Sequence, residues 1–313
     1  MSEPNGILVL GGSGFVGQCL LPHLPPPVYV ISRQKLSNLP VGAQAFQVGL
    51  DDVPTLKKIL PECRWLIHLA SDSTPGVSAG KPLFEAEHNL VPNLRLFELL
   101  QDYPHVKLLY LSSGGAVYGN PGDVAVPEYT PLHPLSYYAA GKIALEAFIT
   151  ALVQQSPRPA VILRPSNFYG PGQAYRPGFG VIPTILQYQQ QGKPLHIWGD
   201  GENVRDYLFI EDFIQLCLLL LRQNELETGS EIYNVGAGYG YSLNQLCGLL
   251  EQVTGQSVLR EYHPARTVDV RYIILDTARI QSAYGWQAQT ALADGLMRTW
   301  RWWLNHVKNQ WEQ

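Results

Sequence analysis

The residues Gly11-Gly12-Ser13-Gly14-Phe15-Val16-Gly17 follow directly on the apolar run Ile7–Leu10 and lead into an amphipathic stretch. Glycines at this spacing permit a strand to end in a tight turn, let the backbone approach a ligand, and allow the following helix to pack closely. The start of that helix offers N–H groups without intrahelical partners at the positive end of its dipole, which suits a pyrophosphate. Strand, spacing and helix together predict dinucleotide binding, with Gly11, Gly14, Phe15, Val16 and Gly17 as contact residues. An ordinary tight turn is the competing explanation.

The rest of the first half is consistent with this start. Gly6–Leu10, Val28–Ser32, Trp65–Leu69, Lys107–Ser112 and Ala160–Arg164 are short, nearly continuous apolar runs, as in parallel strands covered on both faces. Between them Leu90–Leu100 and Lys142–Gln154 carry apolar residues at helical spacing, and Pro25, Pro26 and Pro27 force the first helix to be short. The predicted class is α/β: a Rossmann-type doubly wound parallel sheet with a smaller C-terminal substrate-binding lobe. After Arg164, prolines and glycines crowd the chain to Pro183, marking the start of the lobe. The expected division is a dinucleotide-binding core over 1–167, rejoined at about 204–237, and a lobe over 168–203 and 238–313. Trp300, Trp302, Trp303 and Trp311 sit on a terminal helical segment and are expected to pack against the body.

Composition excludes several classes. With 15% charged residues and a net charge of -4, the chain has no basic surface for nucleic acid. The run Leu216–Leu221 is too short for the ~20 residues of a membrane-spanning helix. The glycines interrupting the first apolar run argue against a signal peptide, so a cytoplasmic location is expected. Cys19, Cys63, Cys217 and Cys247 are widely separated, which points to free thiols, and no metal site is expected. The expected partner is a small molecule, not nucleic acid or membrane.

A second anchor is Tyr138-Ala139-Ala140-Gly141-Lys142, at the opening of a helix. Spacing of four puts the phenol and the ammonium on one face, where the cation favours the phenolate and makes a useful base near neutral pH. Such a pair is common on surfaces; its position after the fourth predicted strand singles this one out.

With these anchors the chain resembles the extended short-chain dehydrogenase/reductase family, and within it the nucleotide-sugar epimerases and dehydratases. The resemblance extends through His68-Leu69-Ala70-Ser71, Ser112–Gly119, Arg164–Gln173, Gly199–Tyr207 and Arg266-Thr267-Val268-Asp269-Val270. It implies NAD or NADP as cofactor and a UDP-sugar as substrate. It further implies that Lys142 holds the nicotinamide ribose, that Leu69, Ala70 and Ser71 pass against the cofactor, and that Pro165 lies nearby. On the substrate side it implies Asn167 at the diphosphate, Arg205 and Arg266 on the two phosphates, His196 beside the base and Trp198 on its face. The competing roles are solvated charge for the arginines and core packing for Trp198. By analogy with the family, which commonly dimerises through two helices per subunit, a homodimer through Leu90–Leu100 and Lys142–Gln154 is the expectation.

Two departures matter. Where the family usually carries a catalytic serine or threonine this chain has Gly114, so Ser113 is the candidate substitute; its alternative role is that of a serine bonded to its own backbone. No acidic side chain occurs in Gly114-Gly115-Ala116, where related dehydratases carry an Asp-Glu pair, which favours C4 epimerisation over elimination. UDP-glucose/UDP-galactose is the family's commonest pair; a keto-sugar-nucleotide reductase and a non-catalytic dinucleotide sensor are the alternatives. In Val28-Tyr29-Val30-Ile31-Ser32-Arg33 the usual ribose-binding carboxylate is replaced by Ser32, followed by Arg33, and Asp51 offers only a weakly aligned adenine contact. Acceptance of NADP at least as well as NAD is therefore expected.

Overall fold

The computed structural model describes residues 4–36, 39–74, 76–223, 226–266 and 269–311. Among them the strands are β1 (Gly6–Leu10), β2 (Val28–Ile31), β3 (Ala43–Phe46), β4 (Cys63–His68), β5 (Lys107–Leu111), β6 (Pro159–Pro165), β7 (Asn167–Tyr169), β8 (Leu195–Trp198), β9 (Val204–Phe209), β10 (Gly229–Val235), β11 (Gly240–Ser242), β12 (Arg260–His263) and β13 (Tyr272–Ile273). Seven form one sheet in the order β10-β6-β5-β4-β1-β2-β3. The neighbours from β3 to β6 are all parallel. The direction of the crossovers reverses between β1 and β4, and in sheets of this kind ligands bind beyond the carboxyl ends of the strands at such a reversal.

The five strands predicted in the first half are all present, and the bland apolar runs explain why: every residue of β1 and of β2 is buried. The edge strand β3 has no such run, because its Gln44 and Ala45 face solvent, and the sequence reading passed over it. The first helix, Phe15–Leu20, is followed by a single 3₁₀ turn, Leu21–His23, before the prolines. The helix expected from Lys142 starts earlier, spanning Tyr137–Gln155, because Ser136 caps it by accepting from the Ala139 amide at 3.2 Å.

Two compact units are present: residues 1–117, 134–164 and 214–233 in the first, and 118–133, 165–213 and 234–313 in the second. They differ from the expected division chiefly over 118–133 and 204–213, and also at 165–167 and 234–237. The second difference has a clear cause: β9 pairs with β7, β11 and β13 and not with the large sheet. The first unit's core joins Leu8, Leu10, Leu66, Leu108 and Ile162 of the sheet to Leu96, Leu145 and Ile149 of the helices. The second packs Ile182, Ile185 and Leu186 with Leu246, Leu250 and Trp303; Trp300 and Trp302 lie against it, as expected of packing residues. No helix among the described residues is long and apolar enough to cross a membrane. None of the four cysteines, all among the described residues, forms a disulfide.

Candidate active site

In the first unit, Gly11 sits at the end of β1 with φ +84°, a conformation that L side chains rarely adopt. A Cβ there would stand 2.7 Å from the Ala70 amide nitrogen, so the turn after β4 lies against the glycine loop. At Gly17 a Cβ would meet the Gly11 carbonyl oxygen and Gly12 Cα at 2.6 Å, so this glycine lets the helix press onto the turn. Gly14 precedes the helix with no side-chain cap, and the first turn has no acidic residue. A cradle closed to side chains and free of competing carboxylates fits a dinucleotide pyrophosphate.

At the ribose end, the Ser32 hydroxyl donates to Ser13 Oγ at 2.8 Å and accepts from the Gln34 amide at 3.1 Å. Arg33 reaches solvent but forms a short ion pair with Asp72. Asp51 instead pairs with Arg95 at 3.0 Å. The structure thus gives Arg33 a carboxylate partner that sequence reasoning missed, because Asp72 lies 39 positions away.

Helix Tyr137–Gln155 and the end of β5 bring Ser113, Tyr138 and Lys142 together. The Ser113 hydroxyl hydrogen-bonds the Tyr138 phenol. Lys142 is buried, its Nζ donating to the Leu111 carbonyl at 2.8 Å and lying 5.8 Å from the centre of the Tyr138 ring. Burial lowers its pKa to about 8, against the charges of Glu85 and Glu146 that raise it, so it is mainly protonated at neutral pH. The phenol departs from expectation. Burial raises its pKa and the Glu85 charge adds to the rise, while the force in the other direction is the Ser113 hydrogen bond. In this arrangement one N–H of the lysine goes to the Leu111 carbonyl, and the Ser113 hydrogen bond favours the phenolate.

The Ser113 backbone carbonyl accepts from the Ala116 and Val117 amides. Gly114 opens the short helix that follows. Ser113→Ala is expected to lower turnover by roughly ten- to a thousandfold, the range for losing one hydrogen bond to developing charge. A steady-state comparison checks this, and wild-type turnover in the variant removes Ser113 from the mechanism.

Glu85 is a site residue that the sequence did not reveal. It is buried, and burial raises its pKa against hydrogen bonds from Ser73 and Asn89 and the charge of Lys142. Its Oε2 has no hydrogen-bond partner among the described residues. Gly141 makes the room, since a Cβ there would stand 2.4 Å from Glu85 Oε1. That glycine, a poor helix former between Tyr138 and Lys142, is the only trace of the carboxylate in the sequence.

In the second unit, β8 alternates: Leu195 and Ile197 are buried, His196 and Trp198 exposed. Trp198 is 41% exposed, which rules out core packing. The Arg266 guanidinium lies 4.4 Å from the centre of its ring and also pairs bidentately with Asp269 at 2.9 Å. Arg205, on β9, donates to the Val204 carbonyl and feels the same Asp269 charge. His196, Trp198, Arg205 and Arg266 are thus gathered around Asp269 and His263, whose ring stacks on Trp198. Asn167 opens β7, opposite Tyr207 of β9. Thr267 and Val268 of the late motif lie outside the described residues. The buried Asp206 anchors this part of β9, accepting from the Ser166 hydroxyl and the Ala237 and Gly238 amides; burial raises its pKa to about 6.

Residues 7–236 match the model of the NAD dependent epimerase/dehydratase family. A UDP-glucose 4-epimerase of Mycolicibacterium smegmatis is 31% identical over 306 residues, covering 93% of this chain and 96% of its own. The structure of a Thermotoga maritima UDP-glucose 4-epimerase with UDP-glucose superposes with a TM-score of 0.88 at 30% identity, over 96% of this chain and 99% of that one. MoeE5 in complex with UDP-glucuronic acid and NAD gives a TM-score of 0.87 at 28% identity, over 96% of this chain and 100% of that one.

Proposed function

We propose that this chain, which belongs to the NAD dependent epimerase/dehydratase family, interconverts the C4 epimers of a UDP-sugar through a 4-keto sugar nucleotide, with UDP-glucose and UDP-galactose as the first pair to test. The observation that carries the reading is the grouping of Ser113, Tyr138 and Lys142 beside a segment, Gly114–Ala116, that has no acidic side chain. One proton shuttle is present at the C4 chemistry, and the acid–base pair that elimination needs is not among these residues. A bound NAD(P) supplies the reversible hydride acceptor. Tyr138 takes the proton of the C4 hydroxyl as hydride leaves C4, and returns it once hydride has come back to the other face of the sugar. Ser113 holds the phenol and supports its charge. Lys142 orients the nicotinamide ribose. Asn167, Arg205 and Arg266 hold the diphosphate, with His196 and Trp198 at the base. The relatives that act on or hold UDP-glucose support this substrate class.

Supplying UDP-galactose, UDP-N-acetylgalactosamine and UDP-galacturonic acid in turn, and measuring each C4 epimer, tests the reading and identifies the sugar. Failure with all three overturns it. Consumption of reduced cofactor with a 4-keto sugar nucleotide, in place of epimerisation, identifies a reductase. Arg205→Ala and Arg266→Ala are expected to weaken UDP affinity by roughly tenfold or more each, since a hydrogen bond to a charged group contributes roughly 1.5–3 kcal/mol. Calorimetric titration with UDP checks it; unchanged affinity in both variants excludes them from the site.

For the cofactor, the absence of a carboxylate at Ser32 and the presence of Arg33 support acceptance of NADP alongside NAD. To take a 2′-phosphate, Arg33 exchanges its Asp72 partner for the phosphate. Arg33→Ala is accordingly expected to lower NADP affinity by about tenfold and to change NAD affinity little. Much tighter binding of NAD than of NADP by the unmodified protein contradicts this part. The homodimer remains part of the proposal: exposed Val91 and Phe148 lie on the two helices it would use, and sedimentation measures it directly.

A further inference from the structure

We propose that His196, Glu261 and His263 form a site for a divalent late transition-metal ion, of the Zn²⁺, Co²⁺ or Ni²⁺ class, on the outer face of the β8–β12 pair. The strands run parallel with His196 opposite Glu261 and Trp198 opposite His263. A period of two puts Glu261 and His263 on one face of β12, and His196 and Trp198 on one face of β8. Both faces coincide: His196 Nδ1 lies 2.9 Å from His263 Nε2, and the two Glu261 oxygens lie 3.5 Å from these nitrogens, Oε2 from His196 and Oε1 from His263. The ligand atoms all fall within 4.8 Å of one another.

These separations match the edges of a coordination polyhedron. Two ligands bound at about 2.0–2.1 Å and set roughly 90–110° apart lie about 2.9–3.4 Å from each other. A set of two imidazoles and one carboxylate favours borderline transition metals over magnesium or calcium, which take oxygen ligands. The metal-free arrangement is ready for the change. The two facing nitrogens share one proton in the 2.9 Å hydrogen bond, and neutral imidazole can carry that proton on its other nitrogen. Shifting the tautomer of the donor ring turns both facing nitrogens into lone-pair donors with no net loss of a proton. Trp198, stacked on the His263 ring with centroids 5.6 Å apart, holds that ring in place. Exposure of His196 and Glu261 leaves further coordination positions open to water or to an added ligand.

The sequence carries no motif for such a site. His196 and His263 stand 67 positions apart, and parallel pairing alone brings them together.

Calorimetric titration of the full chain with ZnCl₂, repeated with CoCl₂ and its visible spectrum, tests the proposal independently of any turnover. One equivalent of Zn²⁺ is expected, with a Co²⁺ spectrum lacking thiolate charge-transfer bands. His263→Ala and Glu261→Gln, both on the exposed side of β12, should each weaken that equivalent by about tenfold or more, with the circular dichroism spectrum unchanged. Absence of binding by the unmodified chain, equal binding by the His263→Ala variant, or thiolate bands from the cysteines would each overturn it.

Discussion

Replacing Tyr138 by phenylalanine is expected to lower turnover by roughly two or more powers of ten while leaving the fold and dinucleotide affinity unchanged. Only a hydroxyl is removed. The ring keeps its place at the start of the helix, and Lys142 keeps its bond to the Leu111 carbonyl, which does not involve the phenol. The loss should fall on kcat, because in the proposed mechanism the phenol acts when the C4 proton moves and not when the nucleotide binds. The raised pKa sets the direction of the pH profile: rate should climb with pH as the phenolate becomes accessible. Rapid-quench turnover and fluorescence titration with the dinucleotide separate the two effects. A variant that turns over at a comparable rate contradicts the assignment of the proton shuttle.

The second large effect is on stability. Glu146 and Arg164 form a buried pair, Nη2 to Oε2 at 2.6 Å and Nε to the two carboxylate oxygens at 3.1 and 3.2 Å, and the Ser112 hydroxyl also donates to Glu146. The pair ties the catalytic helix to β6 and to the end of β5. Glu146→Ala takes the carboxylate from a buried guanidinium and should destabilise the protein by about 3–5 kcal/mol. Glu146→Gln keeps one acceptor oxygen for the guanidinium and should destabilise the protein less than Glu146→Ala. Urea unfolding measures the difference, and a change under about 1 kcal/mol means that Arg164 finds other support on relaxation.

The sequence was most legible where local chemistry leaves few choices. The glycine turn, the buried parallel strands and the order of motifs follow from short stretches that only one backbone suits. The pairing of Ser113 with Tyr138 was open in the sequence, because a hydroxyl one residue before Gly114 can turn either way; in the structure it is a hydrogen-bond partner of the phenol. Long-range contacts between polar side chains were not legible. Asp72 on Arg33, Asp269 beside both Arg205 and Arg266, and Glu85 against Gly141 each depend on loop or helix positions that no periodicity encodes. The expected lowering of the Tyr138 pKa failed for a related reason. Spacing placed the lysine on the correct face, but it said nothing of the burial and the Glu85 charge that oppose the phenolate.

In the proposed mechanism hydride leaves C4 and returns to the same carbon within one turnover. UDP-glucose carrying deuterium at C4, incubated with the purified chain in ordinary water, tests it directly by NMR of the product. Retention of deuterium at C4 of UDP-galactose, with no net change in the amount of reduced cofactor, is the predicted result. Loss of the label to solvent, or accumulation of reduced cofactor in step with a 4-keto product, would contradict the account.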